Sequence, residues 1–184
     1  KISKWAWKKV QEQMIAFIFD VENSGLVENH TLPIGKQPEI IEFYGALVDL
    51  NTGEIKSEID QLCKPSRSIS DEIIGITNIT NEMLEDAPPF STLIPALHKA
   101  LIQADAVIGH NLSFDKEMVE LEMERLGGGI KWPRLICTVE STVHLKGFRL
   151  NLQGLHELLF GEKFAEAHRA RADTQALIRC AIEL

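Results

Sequence analysis

The block "MIAFIFD", Met14 to Asp20, is apolar until its last residue. A short run that is apolar on both faces reads as a central β-strand covered from both sides. Farther on, "PEIIEFYGALVDL" and "GEIKSEIDQLCKP" flank the turn "NTG", which is a hairpin pattern. Three mostly antiparallel strands are therefore expected. The period then changes. "SDEIIGIT" and "TNEMLEDA", the latter with Thr80 as N-cap, read as short helices, and "PPFSTLIPALHKALIQA" as a longer amphipathic one. "DAVIGHN" reads as a short strand, "SFDKEMVELEMERLGGG" as a helix capped by Ser113 and stopped by glycines, and "RLICT" as another strand. "VESTVHL", "NLQGLHELLFG" and the C-terminal segment are helical. A meander of strands followed by strands alternating with helices predicts an α/β layered domain with a mixed sheet.

Acids interrupt this pattern at the ends of elements. Asp20 and Glu22 close the first strand as "FDVE". Residues two apart on a strand point to the same side, so the two carboxylates are neighbours. They stand at a strand's carboxyl end, where open α/β sheets place ligands. A solvated strand end is the ordinary meaning of D-x-E, but the buried run before it argues for a central strand. Asp115 opens a helix, where an acid meets the helix dipole favourably. Met118 and Val119, three and four residues on, place it on the inward face. Asp173 repeats the arrangement, heading a face that continues through Leu177, Cys180 and Leu184. Burying a carboxylate is costly unless it is paired or bound to a cation. No run of lysines or arginines is positioned to neutralise four such acids, and divalent metal is the economical answer.

His168 precedes Asp173 by five residues. At about 100° per residue they would lie roughly 140° apart on one helix, so either they are unrelated or His168 belongs to the preceding loop. Arg169 and Asp173 also form an (i, i+4) pair, ordinary helix decoration worth a few tenths of a kcal/mol.

The chain has 184 residues with 45% hydrophobic and 25% charged positions, an ordinary soluble composition with room for one sizeable core. No apolar run approaches the roughly eighteen residues of a membrane span, and "MIAFIF" is a poor signal peptide. The reading expects no membrane association and a cytoplasmic location. Cys63, Cys137 and Cys180 form no C-x-x-C signature and read as small buried hydrophobes in a reducing compartment. A net charge of −8 argues against broad coating of nucleic acid but leaves room for a local acidic site whose bound ions reverse the field. The chain lacks an initial Met and stops inside a predicted helix, which reads as a trimmed piece of a longer protein. The expected division is an N-terminal extension over 1–13 and one domain over 14–184.

Taken in order, Asp20-x-Glu22, then His110-Asn111-x-x-Phe114-Asp115, then His168-x-Ala170-x-x-Asp173 resemble the DEDDh family of 3′→5′ exonucleases, DnaQ-like nucleases with a ribonuclease H-like fold. The segment "GEIKSEIDQLCKP" with "GITNITNEMLEDAPPF" looks like the family's stretch between its first and second motifs, and the resemblance runs from about Met14 to the end. It implies a ribonuclease H-like domain with a mixed five-stranded sheet flanked by helices. Asp20, Glu22, Asp115 and Asp173 would hold two Mg²⁺ or Mn²⁺ ions, and His168 would be a loop-borne general base. Leu26, Ile74, His110, Asn111 and Phe114 match positions that cradle the terminal nucleotide. The implied activity is hydrolysis of phosphodiester bonds from the 3′ end of DNA, at single-stranded or frayed ends, releasing 5′-mononucleotides. Implied partners are a nucleic acid with a free 3′ end and a DNA polymerase or other replication or repair protein.

Two positions depart from the family pattern. Asn23-Ser24-Gly25 stands where the first motif often reads Thr-Thr-Gly, and Ile74 stands where histidine is common. Trimming of RNA ends, and a catalytically silent binding module, are the competing functions. Lys131, Arg134, Lys146 and Arg149 lie between the second and third motifs as scattered charge, and "KWAW" near the start reads as a partner anchor or a packed terminus.

Overall fold

From Ile15 on, the first apolar block and the three residues after it form β1, the nine residues Ile15–Asn23, and it lies at the centre of the sheet. The computed structural model describes residues 14–27, 29–165 and 167–184. The extension assigned to 1–13, with its tryptophans, lies outside them. The predicted hairpin is present as β2 (Ile40–Asp49) and β3 (Ile55–Leu62). The short strands are β4 (Ala106–Gly109) and β5 (Arg134–Cys137). Strand order is β3-β2-β1-β4-β5, with β1 antiparallel to β2 and parallel to β4. This is the mixed five-stranded α/β sheet expected from the sequence.

Helices cover both faces. They are α1 (Asp71–Thr77), α2 (Asn81–Glu85), α3 (Ile94–Gln103), α4 (Leu112–Arg125), α5 (Thr138–Lys146), α6 (Leu152–Phe160) and α7 (Ala170–Glu183). Side-chain parity along β1 divides the core. Phe17, Phe19 and Val21 pack with Leu97 and Leu101 of α3 and Met118 and Val119 of α4. Ala16 and Ile18 pack on the opposite face, with Leu177 and Ile178 of α7. Since alternate residues share a face, Asp20 and Glu22 continue the Ala16–Ile18 row and look toward α7.

Thr80 caps α2 as expected, its hydroxyl accepting from the Met83 amide. Two local expectations are corrected. The long helix from Pro88 is a 3₁₀ turn, Phe90–Leu93, leading into α3, because Pro95 sits in the first turn and has no amide to donate. Ser113 is not a cap. α4 starts two residues earlier, after Asn111, whose left-handed backbone (φ 64°) steps the chain out of β4. Asparagine tolerates that conformation better than most residues.

Candidate metal centre and adjoining cleft

Three elements bring acids to one end of β1. Asp20 and Glu22 come from β1 itself, and Asp173 comes from the first turn of α7 on the same side of the sheet. One carboxylate oxygen from each of these three residues lies within 4.8 Å of the other two. Asp115 arrives from the other layer. Pairing of β1 with β4 spans Ala16 to Ile18, so this edge of β1 runs on past it. The Val21 amide donates to Asp115 Oδ1 at 3.3 Å. Asp115 is 4% exposed. It therefore borders the triad from behind the strand rather than joining the tight group. The turn that delivers it is close-packed: a Cβ on Gly109 would stand 2.7 Å from Leu112 Cδ1 and 3.2 Å from Leu112 Cα.

The electrostatics follow from crowding. Burial pushes the Asp20 carboxyl well above its ordinary range, and Asp115, Asp173, Glu22 and Glu42 push it further. Burial, then Asp173, Glu42 and Asp115, raise Glu22 from 4.5 to about 8, with Arg169 partly opposing. Burial likewise takes Asp115 from 3.8 to about 8, against the stabilising Val21 amide. Asp173 is also raised, chiefly by burial, although the His168 amide and ring lower it. Acids that cannot all ionise together form a donor set made for cations. Hard divalent ions take carboxylate oxygens at about 2.0–2.6 Å, and three oxygens this close can converge on one ion. The residues present fit a divalent metal.

The pH dependence has a definite sign. Glu22, ordinarily 4.5 and about 8 in the fold, binds its proton more tightly folded than unfolded. Its contribution to metal-free stability is therefore fully present below 4.5 and is lost as pH rises to about 8. Glu22→Gln removes this titration. In the absence of divalent ions the variant's melting temperature, relative to the parent's, should climb as pH rises through that window. A difference that stays flat with pH would contradict the crowding.

His168 stands on the loop before α7, exposed, with a left-handed backbone (φ 66°). Its amide donates to Asp173 Oδ2 at 2.8 Å, so the residue is tied to the acids through its backbone while its ring reaches solvent. Of the two readings left open, the loop-borne one holds. Arg169 is committed elsewhere than expected. Its Nη2 donates to Glu42 Oε1 at 2.6 Å and its Nε to both Glu42 oxygens at 3.1 Å, while the Ala170 amide donates to Glu42 Oε2 at 2.9 Å. Glu42 is 3% exposed and sits opposite Glu22 in the β1–β2 register. This anchor of the His168 loop was missed. Its signal was an acid inside the apolar strand "IIEFYG", which needs a partner wherever it is buried.

A cleft of about 360 Å³ opens beside the acids, lined by Glu22, Ser24, Leu26, Ile73, Ile76, Thr77 and Phe114 among others. Of the five residues expected to cradle a terminal nucleotide, Leu26 and Phe114 line this cleft. Ile74 packs against the small cluster of Ile41, Ile69, Ile79 and Leu84, as does Ile73, which together with Ile76 and Thr77 also lines the cleft. His110 is held in the scaffold. Its Nε2 lies 3.1 Å from the Leu150 carbonyl, which can only accept, so Nε2 carries the proton and Nδ1 faces Thr138 Oγ1 at 2.9 Å. Burial lowers the His110 pKa in keeping with a neutral ring. Asn111 is exposed beside it.

The RNase T family model, described as an exonuclease, matches residues 17–181. DNA polymerase III of the PolC type from Staphylococcus aureus strain bovine RF122 / ET3-1 is 32% identical over 162 residues, which are 86% of this chain and 10% of the polymerase. The corresponding Staphylococcus epidermidis polymerase matches to the same extent. The chain thus spans about a tenth of these relatives. Among solved structures, the nuclease domain of 3′hExo, a DEDDh family member bound to rAMP, superposes with a TM-score of 0.75 at 19% identity, covering 93% of this chain and 91% of that one. Exonuclease X in complex with 5′-overhanging duplex DNA gives 0.66 at 23%, covering 91% and 89%. At these identities the structural likeness shows the fold, which is ribonuclease H-like.

Proposed function

We propose, from the premise that this chain belongs to the RNase T exonuclease family of DEDDh nucleases, that it removes nucleotides one at a time from the 3′ end of DNA. The observation that carries the reading is the convergence of Asp20, Glu22 and Asp173, backed by Asp115, beside a cleft whose mixed lining includes Leu26, Ile73, Ile76 and Phe114. In this reading Asp20, Glu22, Asp115 and Asp173 hold two divalent ions, Mg²⁺ or Mn²⁺. Bound there, such ions would lower the pKa of a water and offset charge on the attacking and leaving oxygens of the phosphodiester.

The chain's own groups do the rest. Leu26 and Phe114 offer apolar and aromatic surface to a terminal base, a contact that accepts any base because every base has a π-face. His168, exposed on its loop, accepts the proton of the attacking water. Its backbone tie to Asp173 and the Glu42–Arg169 pair keep that loop against the acids. The cleft excludes part of the solvent and orients the ester for in-line attack, so that a nucleoside 5′-monophosphate leaves. The DNA preference rests on the relatives above 30% identity, which are DNA polymerases. They also support a polymerase as the partner, in which this domain would trim the frayed end of a growing strand.

The test uses single-stranded DNA and RNA labelled at one end or the other, with Mg²⁺ or Mn²⁺. Label at the 5′ end should give a descending ladder, and label at the 3′ end should appear at once as mononucleotide, faster on DNA than on RNA. Immediate release of the 5′ label would reverse the assigned polarity, and faster loss of RNA would reassign the substrate.

A further inference from the structure

The cleft beside the acids does not end at Leu26. A second cavity of about 270 Å³ shares Ser24, Gly25, Leu26 and Ser70 with it, and its far side is lined by Lys36 and Arg67. Leu26 is 72% exposed and stands between the two. Among the described residues neither Lys36 nor Arg67 has an ion-pair partner, although the chain carries 27 acids against 19 lysines and arginines. Other exposed cations among the described residues also lack ion pairs, but Lys36 and Arg67 line the same cavity, and two cations in one cavity offer a place to an external anion.

Their backbones are held in place. The loop bearing Lys36 is gathered by the Arg125 guanidinium, whose Nη2 donates to the carbonyls of Gln37 at 3.0 Å and Pro38 at 2.6 Å. Gln37 Nε2 donates to the carbonyls of Asn29 and Leu32 at 3.0 and 3.1 Å. Glu39 joins the Arg67 segment to the cleft wall: its carboxylate accepts from the Ser66 amide and hydroxyl, its carbonyl from the Ser24 amide, and its own amide donates to Ser24 Oγ. The acid that lines this cavity is therefore engaged internally, whereas Lys36 and Arg67 are exposed. Cations carried on a preordered frame lose less freedom on meeting a ligand than the same groups on a loose loop.

We infer that this cavity is a second subsite, in which Lys36 and Arg67 hold the sugar–phosphate backbone of the nucleotides next to the terminal one. The inference rests on the reading of the acidic cleft as the site of the terminal nucleotide. A strand with its end at Glu22 must leave past Leu26 or turn back over the acids, and its phosphates favour the side bearing cations. DNA and RNA share this backbone chemistry, so the subsite sets affinity and strand direction rather than choice of sugar.

The test compares a substrate that reaches the subsite with one that does not. The p-nitrophenyl ester of thymidine 5′-monophosphate fills only the terminal position, whereas short oligothymidylate and oligouridylate extend beyond it. Lys36→Ala and Arg67→Ala should each raise KM for both oligonucleotides about tenfold, with ester hydrolysis retained. Strand binding, followed by fluorescence anisotropy in a His168→Asn background that keeps the strand intact, should lose about 0.7 from the log–log salt slope per substitution. Unchanged oligonucleotide KM and salt slope would overturn the subsite, and so would equal losses on ester and oligonucleotide, which place the effect in the cleft or the fold. Failure of the parent enzyme to act on either substrate, with the slopes still reduced, would leave the subsite standing and sink the catalytic reading instead.

Discussion

Asp20→Asn is expected to lower kcat/KM on single-stranded DNA on the order of 10³-fold. The substitution keeps size and shape and removes one charge from a group of three oxygens within 4.8 Å. Cation binding at such a centre supplies several kcal/mol to the transition state, and each tenfold in rate is about 1.36 kcal/mol. Glu22→Gln, Asp115→Asn and Asp173→Asn should act in the same direction, and chelator should abolish the parent's activity until Mg²⁺ or Mn²⁺ is returned. The loss has a signature that separates it from misfolding. Burial and mutual repulsion raise the proton affinity of these carboxyls, so neutral isosteres should leave the metal-free protein as stable as the parent or more so near neutral pH. A variant both inactive and less stable, or a parent fully active in excess chelator, would contradict the assignment.

Removal of the His168 side chain should cost between about 10²- and 10⁴-fold in kcat, the range for a lost general base, while divalent-ion affinity stays near the parent's. The reason for that split is structural. The contact from this residue to Asp173 runs through the His168 amide, at 2.8 Å, and the amide survives substitution. The left-handed backbone at φ 66° makes asparagine a better replacement than alanine, since asparagine adopts that conformation more readily. His168→Asn should therefore keep the loop and lose the rate, together with the acidic limb of the pH–rate profile. A histidine that ligated metal would instead take ion affinity down in step with kcat. Parent-like single-turnover rates in His168→Asn at every pH would assign the base elsewhere.

What the sequence made legible depends on how local the signal is. The apolar block ending in Asp20-x-Glu22 specified a central strand with two carboxylates on one face, because period-two alternation is a property of the strand alone. The start of α7 was only half legible: angular spacing on a helix ruled out a shared face for His168 and Asp173 but left open whether the two were related, and the resemblance alone favoured a loop-borne histidine. Long-range pairings were not legible. Arg169 has a neighbour four residues away, Asp173, yet its guanidinium pairs with Glu42, 127 residues earlier, whose buried carboxylate would be costly if left without a partner. Asp115 was read as an equal fourth member of the acid group. In the fold it approaches from the opposite layer and accepts from the Val21 amide, a position set by how far β1 outruns β4. Which residues of α1 line the cleft (Ile73, Ile76 and Thr77) turns on the roll of one short helix, to which a one-turn motif carries no phase. Lys36 and Arg67 drew no reading from the sequence, because nothing within a few residues of either marks the shared cavity.

The central claim is that the carboxylates gathered at the end of β1 form a divalent-metal centre serving strand cleavage. A crystal soaked in Mn²⁺ and measured at a wavelength where manganese scatters anomalously locates the ion without reference to activity. The account predicts anomalous peaks between Asp20, Glu22 and Asp173, lost in crystals of Asp20→Asn. Manganese bound away from these residues, or an empty cluster in a crystal that binds the ion elsewhere, would contradict it.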